Sequence, residues 1–313
     1  MSATRRPLAV ITGPTGTGKS DVALRLAREF PLEIVSVDSA QVFRGLDIGS
    51  AKPDAVTRGA VPHHLLDLVD PADSYSAGQF VRDAARAIDD IEARGRIPLL
   101  VGGTMLYLRA LIGGIAEMPG SSDAVRAALD AEAARLGWPA LHARLATVDS
   151  AAAARIHPND AQRIQRALEV HAVTGETISA HQARTRSPLE REFVVTALIP
   201  ADRARLHAAL DARFIGMLDA GLLGEVRSLY ARGDLTVEHP AIRAVGYRQL
   251  WAHLAGSYPL QTAVARAQAA TRQLAKRQMT WLRSMPGIHV FDPHDAQTFV
   301  GLRSALVAAS CLF

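Results

Sequence analysis

Apolar and polar positions follow two different spacings along the first third of the chain. Apolar-rich runs predict four strands, at residues 8–12, 34–37, 64–69 and 97–101. Segments 21–30 and 76–94 lie between these runs and carry apolar residues at the spacing of a helix. Strands that alternate with helices of this length predict a parallel sheet with crossover helices on its faces.

The pattern changes at Gly113-Gly114. The alanine-rich stretch that follows, residues 121–186, predicts only helices, at 122–136, 139–147, 151–156 and 160–174. The rest of the chain predicts strands at 193–199 and 289–291 and long helices at 203–231, 241–255 and 260–283. We therefore predict an α/β parallel-sheet core made of residues 1–117 and 190–313, with an inserted all-helical domain at 118–189.

A glycine-rich loop joins the first predicted strand to the first predicted helix. Its sequence, GPTGTGKS, has the spacing G-x-x-x-x-G-K-[ST] of a P-loop. Such a loop turns several N–H groups toward one anion, and the helix that follows adds its positive end. Lys19 supplies a mobile cation, and the Ser20 hydroxyl is placed to ligate Mg²⁺. We expect a diphosphate or triphosphate to bind Gly13, Pro14, Thr15, Gly16, Thr17, Gly18, Lys19 and Ser20.

The strand predicted at 97–101 lacks the terminal Asp that many P-loop phosphotransferases place behind Mg²⁺. It is followed by Gly102-Gly103-Thr104, and we expect the two glycines to let a ligand approach the backbone. Asp38 instead ends the second predicted strand, at the edge where α/β sheets bind ligands. Asp38 can cap the turn that follows it, or it can act as a base or as a residue around Mg²⁺.

Charge is distributed unevenly along the 313 residues, which carry a net charge of +4. Residues 239–291 contain no Asp or Glu but seven Arg or Lys, which predicts a polyanionic partner. Arg272, Lys276 and Arg283 share one face of the helix predicted there, as an RNA-binding face or as a solvated one. The single cysteine, Cys311, and the lack of a long apolar run favour a cytoplasmic protein without a membrane partner.

Several segments together resemble the bacterial tRNA dimethylallyltransferases, also called tRNA isopentenyltransferases. They occur in the family's order: GPTGTGKS at 13–20, DSAQVFRGLDIGSAKP at 38–53, PHHLLDLVDP at 62–71, LVGGTMLYLRAL at 100–111, RIHPNDAQRIQRALEV at 155–170, RAVGYRQLW at 243–251 and TRQLAKRQMTWLR at 271–283. The chain departs from the family's common residues at Phe43, Ser50 and Ala209, and the last departure removes a possible phosphate contact.

The resemblance implies a reaction. A dimethylallyl group would pass from dimethylallyl diphosphate to N6 of the adenosine 3′ of the anticodon, tRNA position 37, and diphosphate would leave. The P-loop, Mg²⁺ and Arg213 would stabilise the leaving charge. Asp38 would accept the proton of the amine, and Thr104 would hydrogen-bond either the amine or Asp38. The resemblance also implies the tRNA anticodon stem-loop as the partner. We further expect a monomer, and weak binding of ATP at the loop as a mimic of the donor's diphosphate.

The same resemblance places the RNA contacts. Gln41 and Gln165 would read base edges, arginines would contact phosphates or stack, and the insertion would grip the anticodon stem. The target adenine would have to be flipped out of its stack. The implied contacts are Asp38, Ser39, Ala40, Gln41, Thr104, Arg126, Gln162, Arg163, Ile164, Gln165, Arg166, Arg243, Gly246, Tyr247, Arg248, Arg272, Lys276, Arg277 and Arg283.

Three other functions use some of the same features. A small-molecule or nucleotide kinase would use the loop for ATP, but the Gly102-Gly103 end of its strand and the basic C-terminal helix count against it. An RNA-binding NTPase would need a Walker B Asp and a coupling motif, and the sequence shows neither. Prenylation of free AMP, ADP or ATP would leave the insertion and the basic segment without a purpose.

Overall fold

The computed structural model describes residues 5–116, 118–120, 122–184 and 189–312. The chain divides into two compact units: Met1–Ile112 with Leu189–Phe313, and Gly113–Pro188. The described strands all belong to the first unit, and the second contains helices. The division falls at the glycine pair where the composition changes.

A parallel sheet forms the first unit, as the alternation of strands and helices predicted. Within the described residues its strands are β1 (Leu8–Thr12), β2 (Leu32–Val37), β3 (His63–His64), β4 (Ile97–Gly102), β5 (Phe193–Leu198) and β6 (His289–Phe291). They lie in the order β3-β2-β4-β1-β5-β6 and every pair is parallel. All five residues of the central strand β1 are buried, which is typical of a sheet covered on both faces.

Helices connect and cover these strands. The first part of the chain has α1 (Lys19–Ala27), α2 (Ala55–Ala60), α3 (Ala77–Ala93) and α4 (Met105–Gly113). The insertion follows with α5 (Asp123–Leu136), α6 (Trp138–Val148), α7 (Ser150–Ala153), α8 (Ala161–Thr174) and α9 (Ile178–Ala183). The last part has α10 (Arg203–Asp219), α11 (Leu222–Ala231), α12 (Tyr247–Leu254), α13 (Leu260–Arg283) and α14 (Thr298–Ala308).

Local sequence explains where the long helices begin. Ser76 and Gln79 form a reciprocal capping box at the start of α3, and the Asp202 carboxylate accepts two N–H groups at the start of α10. Two polar caps also start helices in the insertion: Ser122 at α5 and Asp160 at α8. These caps satisfy N–H groups that have no partner inside their own helix.

Two predicted elements differ from the structure. The strand predicted at 64–69 is only two residues long, because Leu65 and Asp67 have φ values of 64° and 56°, which no extended strand allows. Val69 still forms one parallel bridge, with Phe43. The helix predicted at 203–231 is two helices, α10 and α11, because Gly221 between them has a φ of 103°.

Several further elements were not predicted correctly from the sequence pattern. The helix predicted at 241–255 begins only at Tyr247, with Gly246 as its N-terminal cap residue. α2, α4, α9 and α14 were not predicted. α14 contacts β6, and its Leu302 and Leu306 are buried in the same core cluster as Leu26 and Ile34. This last helix of the described chain therefore packs beside the edge strand β6.

Candidate active site

A cavity of about 440 Å³ opens at the carboxyl ends of the central strands of the first unit. The loop after β1 contributes Thr15, the turn after β2 contributes Asp38, and the end of β4 contributes Thr104. Helices α10 and α13 complete the walls with Arg213 and Arg277. The structure thus brings together residues that are up to 266 positions apart, counted from Thr15 to Trp281.

Two cationic side chains, Lys19 and Arg213, lie at the glycine-rich loop. Lys19 begins α1 and donates from Nζ to the Pro14 carbonyl oxygen at 2.7 Å. Burial lowers the pKa of Lys19 to about 8, and the nearby Arg213 guanidinium acts in the same direction while Asp38 opposes it. Burial also lowers the pKa of Arg213, which donates to the Thr15 hydroxyl at 3.4 Å. An anion bound at this loop would relieve the cost of holding two cations together away from water.

The two oxygens of Asp38 have different environments. Oδ1 accepts the N–H groups of Ala40 at 2.8 Å and Gln41 at 3.3 Å, so Asp38 does cap its turn. Oδ2 has no hydrogen bond to any residue in the described part of the chain. The cap and the base are therefore compatible, because a single carboxylate can serve the turn with one oxygen and a ligand with the other.

Thr104 is tied to the same turn as Asp38. Its Oγ1 accepts the Ser39 N–H at 3.0 Å and lies 3.3 Å from the Ser39 hydroxyl. The Thr104 N–H donates to the Val37 carbonyl oxygen at 3.1 Å. The sequence left the target amine and Asp38 as alternative partners for Thr104. In the structure, Thr104 forms no hydrogen bond with the Asp38 carboxylate and bonds Ser39 instead. The hydroxyl holds the turn through Ser39 and keeps its place on the cavity wall.

The two glycines at the end of β4, Gly102 and Gly103, make room for neighbouring parts of the chain. A Cβ at Gly102 would lie 2.2 Å from the Val37 carbonyl oxygen of the neighbouring strand. A Cβ at Gly103 would lie 2.7 Å from Nε2 of Gln278, a side chain of α13. Their lack of side chains therefore allows close packing within the chain, while Gly103 also lines the cavity, so the approach of a ligand to its backbone stays a prediction.

Glu225 was missed by the sequence analysis, although it organises one side of the cavity. Its carboxylate accepts three consecutive backbone N–H groups, from Asp47 at 3.0 Å, Ile48 at 2.7 Å and Gly49 at 3.2 Å. It also accepts the Tyr247 hydroxyl at 2.5 Å, and burial together with this carboxylate raises the pKa of Tyr247. Residues 178 positions apart give no local signal of such a contact.

The predicted RNA contacts in the insertion fall into two groups. Arg126 and Arg166 donate to the fully buried Glu169, and Gln165 donates to Asp130, so these side chains already have partners in their own unit. Ile164 is also fully buried, so its side chain does not reach the surface, and a contact between this residue and RNA stays a prediction. The two remaining residues of this predicted set, Gln162 and Arg163, are exposed, and Arg163 lies 3.5 Å from the carboxylate of Asp160.

The basic residues of helix α13 have different environments, although the sequence predicted that three of them share one face. Arg272 donates to both carboxylate oxygens of Asp211 on α10, at 2.5 and 2.7 Å, so the lack of acids within 239–291 does not leave it unpaired. Arg277 lies on the cavity wall, while Lys276 and Arg283 are exposed. From the preceding region, Arg243, Gly246 and Tyr247 also line the cavity, and Arg248 is exposed outside it.

The parallel sheet, the loop GPTGTGKS and the charged cavity above the strand ends define an α/β protein of the P-loop class. Comparison with models of known protein families identifies the family within this class to which the chain belongs. The chain matches the family model described as IPP transferase over residues 41–285, and a second, isopentenyl transferase, over residues 7–58. The chain therefore belongs to the IPP transferase family.

Individual relatives agree with this assignment. The chain is 55% identical to a protein of Bordetella petrii and 57% identical to one of Methylibium petroleiphilum, both called tRNA dimethylallyltransferase. The alignments cover 91% of this chain and 92% of the first relative, and 88% and 86% for the second.

Solved structures show the same fold. A tRNA isopentenylpyrophosphate transferase of Bacillus halodurans is 34% identical, with a TM-score of 0.71 over 97% of both chains. A eukaryotic dimethylallyltransferase, described as acting on tRNA, is 28% identical with a TM-score of 0.82 over 97% of this chain and 79% of its own. No described helix of this chain is long and apolar enough to cross a membrane.

Proposed function

We propose that this chain is a tRNA dimethylallyltransferase that acts on N6 of the adenosine at tRNA position 37. Its close relatives carry that enzyme name. The observation that carries the proposal is the cavity itself, in which an electropositive phosphate loop and a carboxylate with one oxygen unbonded among the described residues share one wall. A prenyl transfer to an amine needs both features at once: an acceptor for a diphosphate and an acceptor for a proton.

The donor would be dimethylallyl diphosphate, bound through its diphosphate at the loop. The allylic C–O bond breaks with its electron pair leaving on the diphosphate, and the N6 lone pair forms the new C–N bond. Lys19, Arg213 and the N–H groups at the start of α1 are placed to stabilise that leaving charge. Lys19 and Arg213 are partly desolvated, and such charges act more strongly than they would in bulk solvent.

Asp38 would take the proton that N6 loses when the new bond forms. Oδ2 is the oxygen for this step, since Oδ1 already accepts two N–H groups of its own turn. Thr104, bonded to Ser39 of the same turn, would fix the direction from which the amine approaches. The proton leaves on the carboxylate and the negative charge leaves on the diphosphate, so the reaction is balanced without a further reactant.

Mg²⁺ fits this site because the ion needs few protein ligands when a phosphate is bound. It commonly uses one or two protein oxygens, phosphate oxygens and water. The Ser20 hydroxyl is exposed at the start of α1 and forms no hydrogen bond with the described residues. No group of three or more His, Cys, Asp or Glu among those residues could hold a metal alone, which agrees with a site completed by substrate. When bound, the ion would neutralise charge on the diphosphate.

On the RNA side, we propose that the flipped adenine enters the cavity between the Asp38 turn and α13. Arg243 and Arg277 line that cavity and carry charges suited to RNA phosphates.

The exposed Gln162 and Arg163 of the insertion would contact the anticodon stem. Replacing both by alanine should raise the KM for tRNA and leave the KM for the donor unchanged. An unchanged KM for tRNA would remove this face of the insertion from the interface.

A pair of assays separates prenyl transfer from the kinase alternative. With tRNA and Mg²⁺, dimethylallyl diphosphate should release diphosphate in step with N6-prenyladenosine, and Lys19→Ala should abolish both products. ATP should bind weakly as a competitor and transfer no phosphoryl group. ATP-dependent phosphorylation of an acceptor without prenyl transfer would overturn the proposal. We expect a monomer to be active.

A further inference from the structure

Gln278 is the polar member of a buried stripe on α13. Ala275, Met279 and Leu282 surround it at helical spacing and are at most 2% exposed, while Gln278 is 8% exposed. An apolar side chain would fill such a position without any hydrogen-bonding requirement. A buried amide is stable here only if its donor and acceptor are both satisfied.

Both ends of the Gln278 amide are satisfied by backbone groups of the active site. Its Oε1 accepts the Thr15 N–H of the phosphate loop at 2.9 Å, and its Nε2 donates to the Gly103 carbonyl oxygen at 2.7 Å. The orientation of the amide follows from chemistry, since an N–H can only donate and a carbonyl oxygen can only accept. One side chain therefore joins the loop after β1 to the end of β4, immediately before Thr104.

The space for this side chain is provided by Gly103. A Cβ at that position would lie 2.7 Å from Gln278 Nε2 and 3.1 Å from the Gly13 carbonyl oxygen. Any side chain at residue 103 would therefore push Gln278 away or displace the start of the loop. This close approach supplies a second way to disturb the bridge without changing Gln278 itself.

We propose that Gln278 is a positioning residue for the diphosphate-binding loop, an inference that rests on the proposed function of that loop. Because the Thr15 N–H donates its hydrogen bond to Gln278, it points toward α13 and cannot donate to a bound diphosphate. The loop is then fixed with the N–H groups of residues 16–20 left to receive the ligand. The backbone of Thr15, which the motif had assigned to phosphate binding, instead anchors the loop.

The test compares Gln278→Met, which keeps the size but cannot accept the Thr15 N–H, with Gln273→Met on the exposed face of the same helix. Losing one buried hydrogen bond to the loop should raise the Kd for inorganic diphosphate with Mg²⁺, and the KM for dimethylallyl diphosphate, by about tenfold. The KM for tRNA should stay within about twofold. Gly103→Ala should reproduce this pattern, and Gln273→Met should change neither constant.

Two results would contradict the inference. One is an unchanged Kd for diphosphate in Gln278→Met; the other is an equal loss of donor and tRNA affinity, which indicates general damage to the fold. Calorimetry with diphosphate does not depend on the reaction. Failure of the proposed function, seen as no prenyladenosine from the wild-type protein, is therefore distinguishable from failure of the Gln278 assignment.

Hydrogen exchange on the wild-type protein tests the same bond even if both variants fail to fold. The Thr15 amide should be protected from exchange without ligand, and adding diphosphate should not protect it further. Amides of residues 16–20 should gain protection when diphosphate binds. A Thr15 amide that exchanges freely until diphosphate is added would assign its N–H to the ligand and overturn the inference.

Discussion

Asp38 shows how one residue can hold its own turn and still be available for chemistry. Oδ1 accepts N–H groups from Ala40 and Gln41, and this bonding keeps Oδ2 at a defined place on the cavity wall. The sequence had left a turn cap and a base as alternatives for this carboxylate. The structure shows that the cap is formed, and the base role rests on the second oxygen.

Replacing Asp38 by asparagine tests that role with little change to the turn. The asparagine oxygen can still accept the two N–H groups, so folding and tRNA binding should be nearly preserved. Turnover should fall by roughly 10²–10⁴, as for the loss of a general base. Single-turnover prenylation and tRNA binding should be measured together. Near-normal turnover in Asp38→Asn would remove this residue from the proton transfer.

Lys19 gives the enzyme an expected dependence on pH. Its pKa is lowered to about 8 by burial and by Arg213, so the free loop loses a positive charge as the pH rises through that value. The value of kcat/KM for dimethylallyl diphosphate should therefore decline above about pH 8, approaching tenfold per unit.

Lys19→Arg is the control, because arginine stays charged throughout this range. Its activity can be lower at every pH, but its profile should be flat where the wild-type profile falls. If the arginine variant declines over the same interval with the same slope, the titrating group is not Lys19.

At the scale of elements, α13 combines three kinds of contact on one helix. Its buried stripe packs against Leu206 and Leu210 of α10, Arg272 pairs with Asp211 of the same neighbour, and Arg277 lies on the cavity wall. The sequence predicted one basic face for this helix. Packing against α10 divides that face, because an acid from outside the basic segment neutralises one of its cations.

This division can be measured as a difference in salt dependence. Arg277→Ala should weaken tRNA binding and lower the slope of log affinity against log salt by about 0.7–0.9, as expected for one lost phosphate contact. Arg272→Ala should leave that slope unchanged, because its guanidinium is paired with Asp211. Filter binding across a salt series provides the slopes; equal changes in both variants would mean that Arg272 contacts RNA despite its pair.

Within the insertion, Glu169 links the start of α5 to α8. It is fully buried and accepts the Ser122 N–H as well as two arginines, which hold its pKa below the usual range although burial alone would raise it. Glu169→Ala should lower the free energy of unfolding by about 2 kcal/mol, since both guanidinium groups are partly exposed and can be rehydrated.

The matched control is Glu132→Ala, which breaks a more exposed pair with Arg144 in the same unit. That change should cost about 0.5 kcal/mol or less. Urea unfolding followed by circular dichroism compares the two variants. Equal losses would show that the burial of Glu169 does not distinguish its ion pairs from a surface pair.

Sequence reasoning was most successful where the determinants are local. The P-loop, the position of Asp38 after a strand and the helix at 260–283 depend on spacing within one element, and each lies where it was predicted. Glu225 and Gln278 were not found, because their partners lie far away in the chain. The sequence did contain a weak signal for Gln278, because this polar residue lies at a position of α13 where the helical spacing predicts an apolar side chain.

On the scale of the whole molecule, the proposed division of labour places donor and catalytic groups in the sheet-containing unit and stem contacts in the insertion. Every residue that lines the cavity belongs to the first unit, Met1–Ile112 with Leu189–Phe313. The loop, the Asp38 turn and α13 come from distant parts of that unit. The chemistry therefore depends on the complete parallel sheet, which aligns the ends of β1, β2 and β4 at one edge.

The central claim is transfer of a dimethylallyl group to N6 of adenosine 37, and mass spectrometry of the product tests it most directly. Unmodified tRNA should be incubated with the protein, Mg²⁺ and dimethylallyl diphosphate, then digested both to nucleosides and to oligonucleotides. We predict N6-dimethylallyladenosine in the nucleoside digest, carried by the single oligonucleotide that contains position 37, and its absence with Lys19→Ala. A product on another base, or on free adenine nucleotide while the tRNA stays unmodified, would contradict the account.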